Sequence, residues 1–449
     1  MALTACLTTG RISLRVPLKT SHTMISIGER KKGKIFYGWY ILLAAAVGLF
    51  MGYVPMIGYT FSVFFNPLSK EFHWSRAEIS LAFSLSLLSL SVVLPIAGRL
   101  VDRFGARRVI LPAAVLFGAA LGSFYFLTDS LWHFYAIYLF LGIVGGGTAP
   151  VPYYNVVSHW FDKRRGLALG LAMGGAGIGT FFMPFLSFAL ITKVGWRAAY
   201  ALIGLVIVAV TIPVVGLFLK DNPLTMGLLP DGEMDSPSES KKEGRDSHGL
   251  SSREALRTRT FWLMCSAFLL VSMSLNGCLI HLVPMLSDRG VSARNAALAT
   301  SLLGGANLLG RIGTGFLLDR WLASYVAACF LFAAAIGVLL LWGRVTGGLI
   351  FLAPFLVGLG IGAEGDIMAY LVSRYFGLRA FGETYGYVLS VFTLGGMIGP
   401  LLMGIGFDAT NSYDVVLVPF LLATLFGSGL MILLGPYRPL EPEATLAVD

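Results

Sequence analysis

The sequence predicts an all-α membrane protein: twelve transmembrane helices in two pseudo-symmetric six-helix bundles. Three observations lead there. Of 449 residues, 56% are hydrophobic and only 13% charged, whereas an ordinary soluble domain carries about 25% charged residues. Apolar runs long enough to cross roughly 30 Å of hydrocarbon recur along nearly the whole chain. One such run closes on Gly98-Arg99-Leu100-Val101-Asp102-Arg103-Phe104-Gly105, and another closes on an echo of it, Gly315-Phe316-Leu317-Leu318-Asp319-Arg320.

The first bundle, 35–219, holds apolar runs at 39–64, 79–101, 109–127, 132–157, 167–191 and 198–219, each bounded by charges, Pro or Gly. Span 1 opens on Tyr37-Gly38-Trp39 and span 2 ends in the Gly98 motif. Span 4 is followed by His159-Trp160-Phe161-Asp162-Lys163-Arg164-Arg165, and span 5 is Gly-rich up to Ile178-Gly179 and Pro184. The second bundle, 260–436, repeats this with runs at 260–286, 295–318, 323–342, 347–372, 383–407 and 414–435. Span 8 ends in the Gly315 echo. Arg374-Tyr375-Phe376-Gly377-Leu378-Arg379 precedes span 11, which runs to Ile398-Gly399-Pro400. Spans 2–3 thus correspond to spans 8–9, and spans 4–5 to spans 10–11. A duplicated helical chain in a bilayer suits the passage of a small solute, since two similar bundles can rock about a site between them.

The distribution of charge sets the expected orientation. Net charge is +9, which in a soluble chain would raise nucleic acid as a partner; here its location matters more. With the N-terminus inside, 24 Lys and Arg fall on the cytoplasmic side and 7 on the other. Both termini are therefore expected in the cytoplasm, the lipid bilayer is the partner, and no nucleic acid is implied. The remaining two cations are Arg99, at the mouth of span 2, and Arg311, inside span 8.

Outside the bundles lie an N-terminal tail, 1–34, a linker, 220–259, and a C-terminal tail, 437–449. The N-terminal tail holds Arg11, Arg15, Lys19 and His22 but no acid before Glu29; it reads as a cytoplasmic tail rather than a transit peptide, with Met24 as an alternative start. The linker, with Pro230-Asp231-Gly232 and no apolar periodicity, is expected to be flexible coil with a short amphipathic helix before Phe261. Its Lys241, Lys242, Arg253, Arg257 and Arg259 suit anionic headgroups. Cys265, Cys278 and Cys329 lie in apolar spans and Cys6 in the tail, so they read as core filler rather than a disulfide framework.

Several chemistries are excluded. Gly174 to Gly179 reads GGAGIG, but it sits inside an apolar helix and follows a charged loop rather than a strand, so it is no dinucleotide site. No Walker motif, HExxH or nucleophile elbow is present, so neither an enzyme, a cofactor nor a metal is expected. A membrane sensor would need a folded signalling domain, for which 220–259 is too short and too polar.

These features resemble the major facilitator superfamily, whose signature loop after span 2 is similar to Gly98–Arg108. Four further stretches resemble its monocarboxylate transporter and oxalate/formate antiporter branch: Tyr37-Gly38-Trp39, Phe61-Ser62-Val63-Phe64-Phe65, His281-Leu282-Val283-Pro284, and Tyr370-Leu371-Val372-Ser373-Arg374-Tyr375-Phe376-Gly377. The resemblance implies that an Arg in span 8, here Arg311, binds a substrate carboxylate. It implies too that Asp102 ties the bundles together on the cytoplasmic face, with Gly98, Arg103, Gly105 and Arg107 and the echo residues Asp319 and Arg320. This sequence departs from the branch in having Asn307 where animal monocarboxylate transporters have an Asp, and Tyr59 near their span 1 Lys. Span 11 has no Lys or Arg, which favours a monoanion over a dianion such as oxalate.

The buried polar residues supply the expected chemistry. A mid-membrane Arg costs at least about 2.5–3.5 kcal/mol on insertion scales, so it argues for a polar cavity with a partner, and its planar fork suits a carboxylate. Arg311 lies roughly 12 Å from the Asp319 edge and Asp366 a similar depth from Arg374, at about 1.5 Å per helical residue. Two residues apart means about 200° of rotation, so Glu364 and Asp366 face different neighbours. Asp366, sharing a face with Ala363, Tyr370 and Ser373, is the expected cavity acid, and Glu364 a second protonation site. His281 is a proton relay or a hydrogen-bonded structural residue. Tyr59, Asn155 and Asn307 are expected to join Arg311 around a small organic anion. The expected cycle is proton symport by alternating access: a span 10 carboxylate balances Arg311 until it takes a proton, and Arg311 then pairs with the substrate. A fixed Arg–carboxylate pair holding spans 8 and 10 together, and exchange of one carboxylate for another, are the alternatives. A plasma or inner membrane is the expected location.

Overall fold

The computed structural model describes residues 36–437, apart from Ser75, 233–248, Val345 and Thr346; the basic pair Lys241 and Lys242 and both tails, save Tyr437, lie outside the described residues. Among the described residues fourteen α-helices follow one another: α1 Gly38–Phe50, α2 Phe61–Phe72, α3 Arg76–Phe104, α4 Ala106–Ser123, α5 Leu131–Gly145, α6 Pro150–Trp160, α7 Arg165–Phe218, α8 Ser252–Leu256, α9 Arg259–Asp288, α10 Ala293–Leu318, α11 Ala323–Trp342, α12 Leu349–Tyr375, α13 Phe381–Thr410 and α14 Asp414–Ile432. Among the described residues, ten helical segments are long and apolar enough to cross a membrane. One of them, α7, has 54 residues, about 81 Å of helix, and breaks at Gly195, whose φ of +80° is open to glycine without a Cβ penalty. It supplies the fifth and sixth crossings. The expected span 8 corresponds to α10, a helix of 26 residues that carries Arg311 and is not among those ten. The protein is an all-helical, multi-pass integral membrane protein.

Two expected spans are interrupted. Span 1 continues from α1 through a π-helical turn, Val54–Tyr59, into α2, and Pro55 in that turn has no N–H for a regular ladder. Span 4, expected as one helix, ends at Gly145 and restarts at Pro150. The run Gly145-Gly146-Gly147 lets the backbone turn there, with Thr148 N–H on the Gly145 carbonyl at 2.9 Å. The restarted helix is deeply buried, from Pro150 through Asn155 to Trp160.

Where the linker is described, α8 stands where a short helix is expected before Phe261, and the coil around it holds further turns. Short turns occupy Pro223–Met226 and Pro230–Gly232. Gly249 pairs with Gly377, Leu250 N–H bonds the Phe376 carbonyl at 2.8 Å, and α8 starts on a capping box between Ser251 and Glu254. Cys265 and Cys278 are buried, but Cys329 lies exposed on α11 and is not core filler.

The N-terminal and C-terminal helices meet along two equivalent seams, α3 against α13 and α7 against α10. Small residues permit the approach. A Cβ on Gly98 would run into the Gly382 backbone, and one on Gly166 would lie 2.7 Å from the Gly315 carbonyl oxygen.

Candidate functional site

At the linker end of the first seam, Asp102 closes α3 and caps α13. Its Oδ1 accepts Gly382 N–H and its Oδ2 accepts Glu383 N–H, both at 2.8 Å. A carboxylate there meets unsatisfied N–H groups and the positive end of a helix dipole. The second seam repeats the arrangement. Asp319, just beyond α10, accepts Gly166 N–H at 2.8 Å and Leu167 N–H at 3.1 Å from the first turn of α7. Burial raises the Asp319 carboxyl above the usual range, and those two N–H groups work against that rise.

Side chains surround each cap. Arg99 Nε donates to Glu383 Oε1 at 3.1 Å, and the linker's Ser252 donates to Glu383 Oε2 at 2.7 Å. On the other seam, Arg374 Nη1 donates to Asp162 Oδ1 at 3.1 Å and Nη2 to the Asp162 carbonyl at 2.9 Å. The buried Arg165 reaches the same Asp162 Oδ1 at 3.2 Å. Sequence reading missed these partners: it placed Asp162, Arg165 and Arg374 in the repeated motifs after spans 4 and 10 without pairing them.

The other residues expected at the latch divide. Arg107 contributes through its backbone N–H, which donates to Asp221 Oδ1 at 3.0 Å, and Gly105 turns beside that carboxylate with φ +85°. Arg103 and Arg320 are exposed, Arg103 lying over the ring of Phe104 beside it on α3 and Arg320, just past the end of α10, over that of Phe316.

Deeper in, Arg311 Nε donates to Asn307 Oδ1 at 3.1 Å, one turn earlier on α10. Its Nη1 is buried without a hydrogen-bond partner. Helix α12 brings both carboxylates inward, Asp366 at 0% and Glu364 at 1% exposure. It packs tightly on α10 because a Cβ on Gly362 would collide with the Asn307 backbone. Among the described residues, no ion pair joins Arg311 to either acid, so the expected Arg–carboxylate balance is not formed in this structure. Asn307 takes one edge of the guanidinium, while Tyr154 of α6 donates to Asp366 Oδ1 at 2.7 Å. Asp366 Oδ2 and both Glu364 oxygens are left without a hydrogen bond. Four unsatisfied polar atoms in one region call for a polar ligand or water.

The remaining expected site residues fall elsewhere. The Asn155 amide donates to Asp102 Oδ1 at 2.9 Å, so in this structure it serves the cap rather than the anion. Tyr59, ending the π-helical turn, is 49% exposed and forms no bond to the Arg311 group. His281 Nε2 lies 3.1 Å from the Pro400 carbonyl oxygen and Nδ1 3.3 Å from Tyr413 Oη. A carbonyl only accepts, so Nε2 carries the proton and Nδ1 accepts from the phenol. That engages both ring nitrogens in packing α9 against its neighbours.

Comparison with known proteins accords with this architecture. The sequence profile of the Major Facilitator Superfamily matches residues 40–400. The chain is 27% identical over 351 residues to the uncharacterized MFS-type transporter YhjX of Escherichia coli, covering 75% of this chain and 81% of that one. It is 29% identical over 420 residues to monocarboxylate transporter 11 of Homo sapiens, covering 90% and 84%. The crystal structure of the E. coli fucose:proton symporter FucP is similar in fold, with a TM-score of 0.64 at 15% identity, over 89% of this chain and 98% of that one. Two capped seams closing one end of a duplicated helical chain, with polar groups buried between them, are thus set in a recognisable lineage: the chain belongs to the Major Facilitator Superfamily of solute transporters.

Proposed function

We propose that this transporter carries small monocarboxylates together with a proton, by alternating access, across a plasma or inner membrane with both termini in the cytoplasm. The observation that carries the reading is Arg311: a guanidinium inside the helical body, held on one edge by Asn307, with Nη1 buried and unbonded. A carboxylate is the natural complement of that edge. Similarity to monocarboxylate transporter 11 supports the substrate class, and the absence of Lys and Arg from 383–407 supports one negative charge rather than two. Asp366 and Glu364 lie within the electrostatic reach of Arg311. A proton on Asp366 and an anion on Arg311 make a neutral load, which crosses a low-dielectric body at less cost than either charge alone.

Reconstitution in liposomes under an imposed pH gradient, with a panel of labelled mono- and dicarboxylates, tests this. Monocarboxylate uptake should rise with an inward proton gradient. Arg311→Gln should weaken substrate binding roughly tenfold or more, since a hydrogen bond to a charged group is worth about 1.5–3 kcal/mol. Uptake that ignores the gradient but depends on a preloaded anion would mean exchange instead, and binding that survives Arg311→Gln would remove the anchor.

A further inference from the structure

Tyr154 and Asp366 are 212 residues apart in sequence, belong to different halves of the chain, and share a 2.7 Å hydrogen bond at 0% exposure. We propose that Tyr154 is the positioning residue that makes opening of the linker end depend on a proton at Asp366. Its hydroxyl ties α6 to α12 while the carboxylate is ionised, and the tie slackens when the carboxylate is protonated. This rests on the reading of Asp366 as the proton-carrying acid.

The geometry supplies the parts. A phenol has one proton to give, and its bond to an ionised carboxylate is roughly twice as strong as one between neutral groups. Protonation at Asp366 removes that charge assistance without changing the packing. The proton comes from water on one side of the membrane, is held on the carboxyl, and leaves to water on the other. The second oxygen, Oδ2, is unbonded and would lie 3.6 Å from a Cβ on Gly170 of α7, so it is free to receive the proton. The groups facing Asp366 are Tyr154 from α6, Arg311 from α10 and Tyr385 from α13; Gly170 of α7 contributes nothing titratable, and α12 itself carries Glu364 and Tyr370. Of these, Tyr154 is the group hydrogen-bonded to Asp366 from the other half.

A stack of rings links this bond to the cap above it. Tyr154 stacks on Tyr385 at 5.8 Å, and Tyr385 on Phe381 at 5.6 Å. Phe381 immediately precedes Gly382 and Glu383, whose N–H groups Asp102 holds. Movement of the Tyr154 ring is therefore transmitted to the first turn of α13, where the linker end is fastened.

The test uses the full chain in liposomes, with its native cysteines replaced and spin labels on cysteines at the exposed positions Arg108 and Arg379, read by pulsed EPR from mildly alkaline to mildly acidic pH. The otherwise unaltered protein should shift toward longer linker-end distances as pH falls. Tyr154→Phe, which keeps the ring stack, should show the long distances at alkaline pH and lose the pH dependence. 3-Fluorotyrosine at position 154 keeps the ring and makes the hydroxyl a stronger donor, so the midpoint should move to lower pH; it covers the case in which Tyr154→Phe fails to fold. A Tyr154→Phe profile like that of the parent, a parent profile flat in pH, or a midpoint unmoved by fluorination would each overturn the proposal. Failure of the anion reading is separate: it shows as substrate binding that survives Arg311→Gln, while the parent still opens as pH falls and Tyr154→Phe still loses that dependence.

Discussion

Asp102 and Asp319 occupy equivalent places in the two halves of the chain, and each accepts two backbone N–H groups from the first turn of a helix in the opposite half, at 2.8 and 2.8 Å and at 2.8 and 3.1 Å. Loss of a helix cap costs about 1 kcal/mol. Asp102→Ala and Asp319→Ala should each raise the population with the linker end open by roughly fivefold, as about 1 kcal/mol implies. The double variant should show close to the product of the two. Spin-label distances between Arg108 and Arg379 measure this, and a single variant with an unchanged distribution would mean that its cap does not hold the seam.

The glycine contacts behind the caps should be less forgiving. Gly382→Ala places a Cβ 2.6 Å from the Gly98 carbonyl oxygen and near the Asp102 carboxylate. The variant should insert and fold, since each half keeps its own packing, but it should fail to close at the linker end. Uptake should fall more than the level of protein in the membrane does, and the long-distance population should dominate.

The two buried acids should separate by function. Asp366→Asn keeps an acceptor for Tyr154 but no titrating group, and it should abolish the response of uptake to a proton gradient while leaving substrate binding measurable. Glu364→Gln should leave that response in place. Comparing uptake with and without the gradient in each variant checks the assignment; the reverse pattern would make Glu364 the coupling acid.

At the linker, the Glu254 carboxyl is held below its ordinary value by the Ser251 N–H and the Ser251 hydroxyl. A depressed acid contributes stability that is present above its ordinary value of 4.5 and lost as pH falls through the depressed one. Amide exchange across 250–256, corrected for its intrinsic pH dependence, should show protection fading toward acid pH. In Glu254→Gln that acid-dependent loss should be absent.

Much of this architecture is legible in the sequence because it is written twice. The Gly-x-x-x-Asp pattern at Gly98 and Gly315 marks both seams, and the long apolar runs mark the crossings. The partners of the buried groups are not legible, for a geometric reason. Each helical residue turns about 100°, so facing can be read only along an unbroken helix, and Gly145–Pro150 interrupts span 4. Beyond that break the register of Tyr154 and Asn155 is reset, and the two neighbours point to different tasks, one to Asp366 and the other to Asp102. The Asp162–Arg374 pair was hidden differently: its members are 212 residues apart, and nothing in either local pattern names the other.

The caps share one further property. Their donors are peptide N–H groups, which no pH change can discharge and which every residue except proline supplies, so the clasp survives sequence drift at positions 167 and 383. Because each half provides one hook and one eye, neither clasp can let go by a pivot about the other without shearing it. The linker end should therefore swing apart in a single stroke rather than ajar by degrees, which guards the lipid barrier against a continuous leak during turnover.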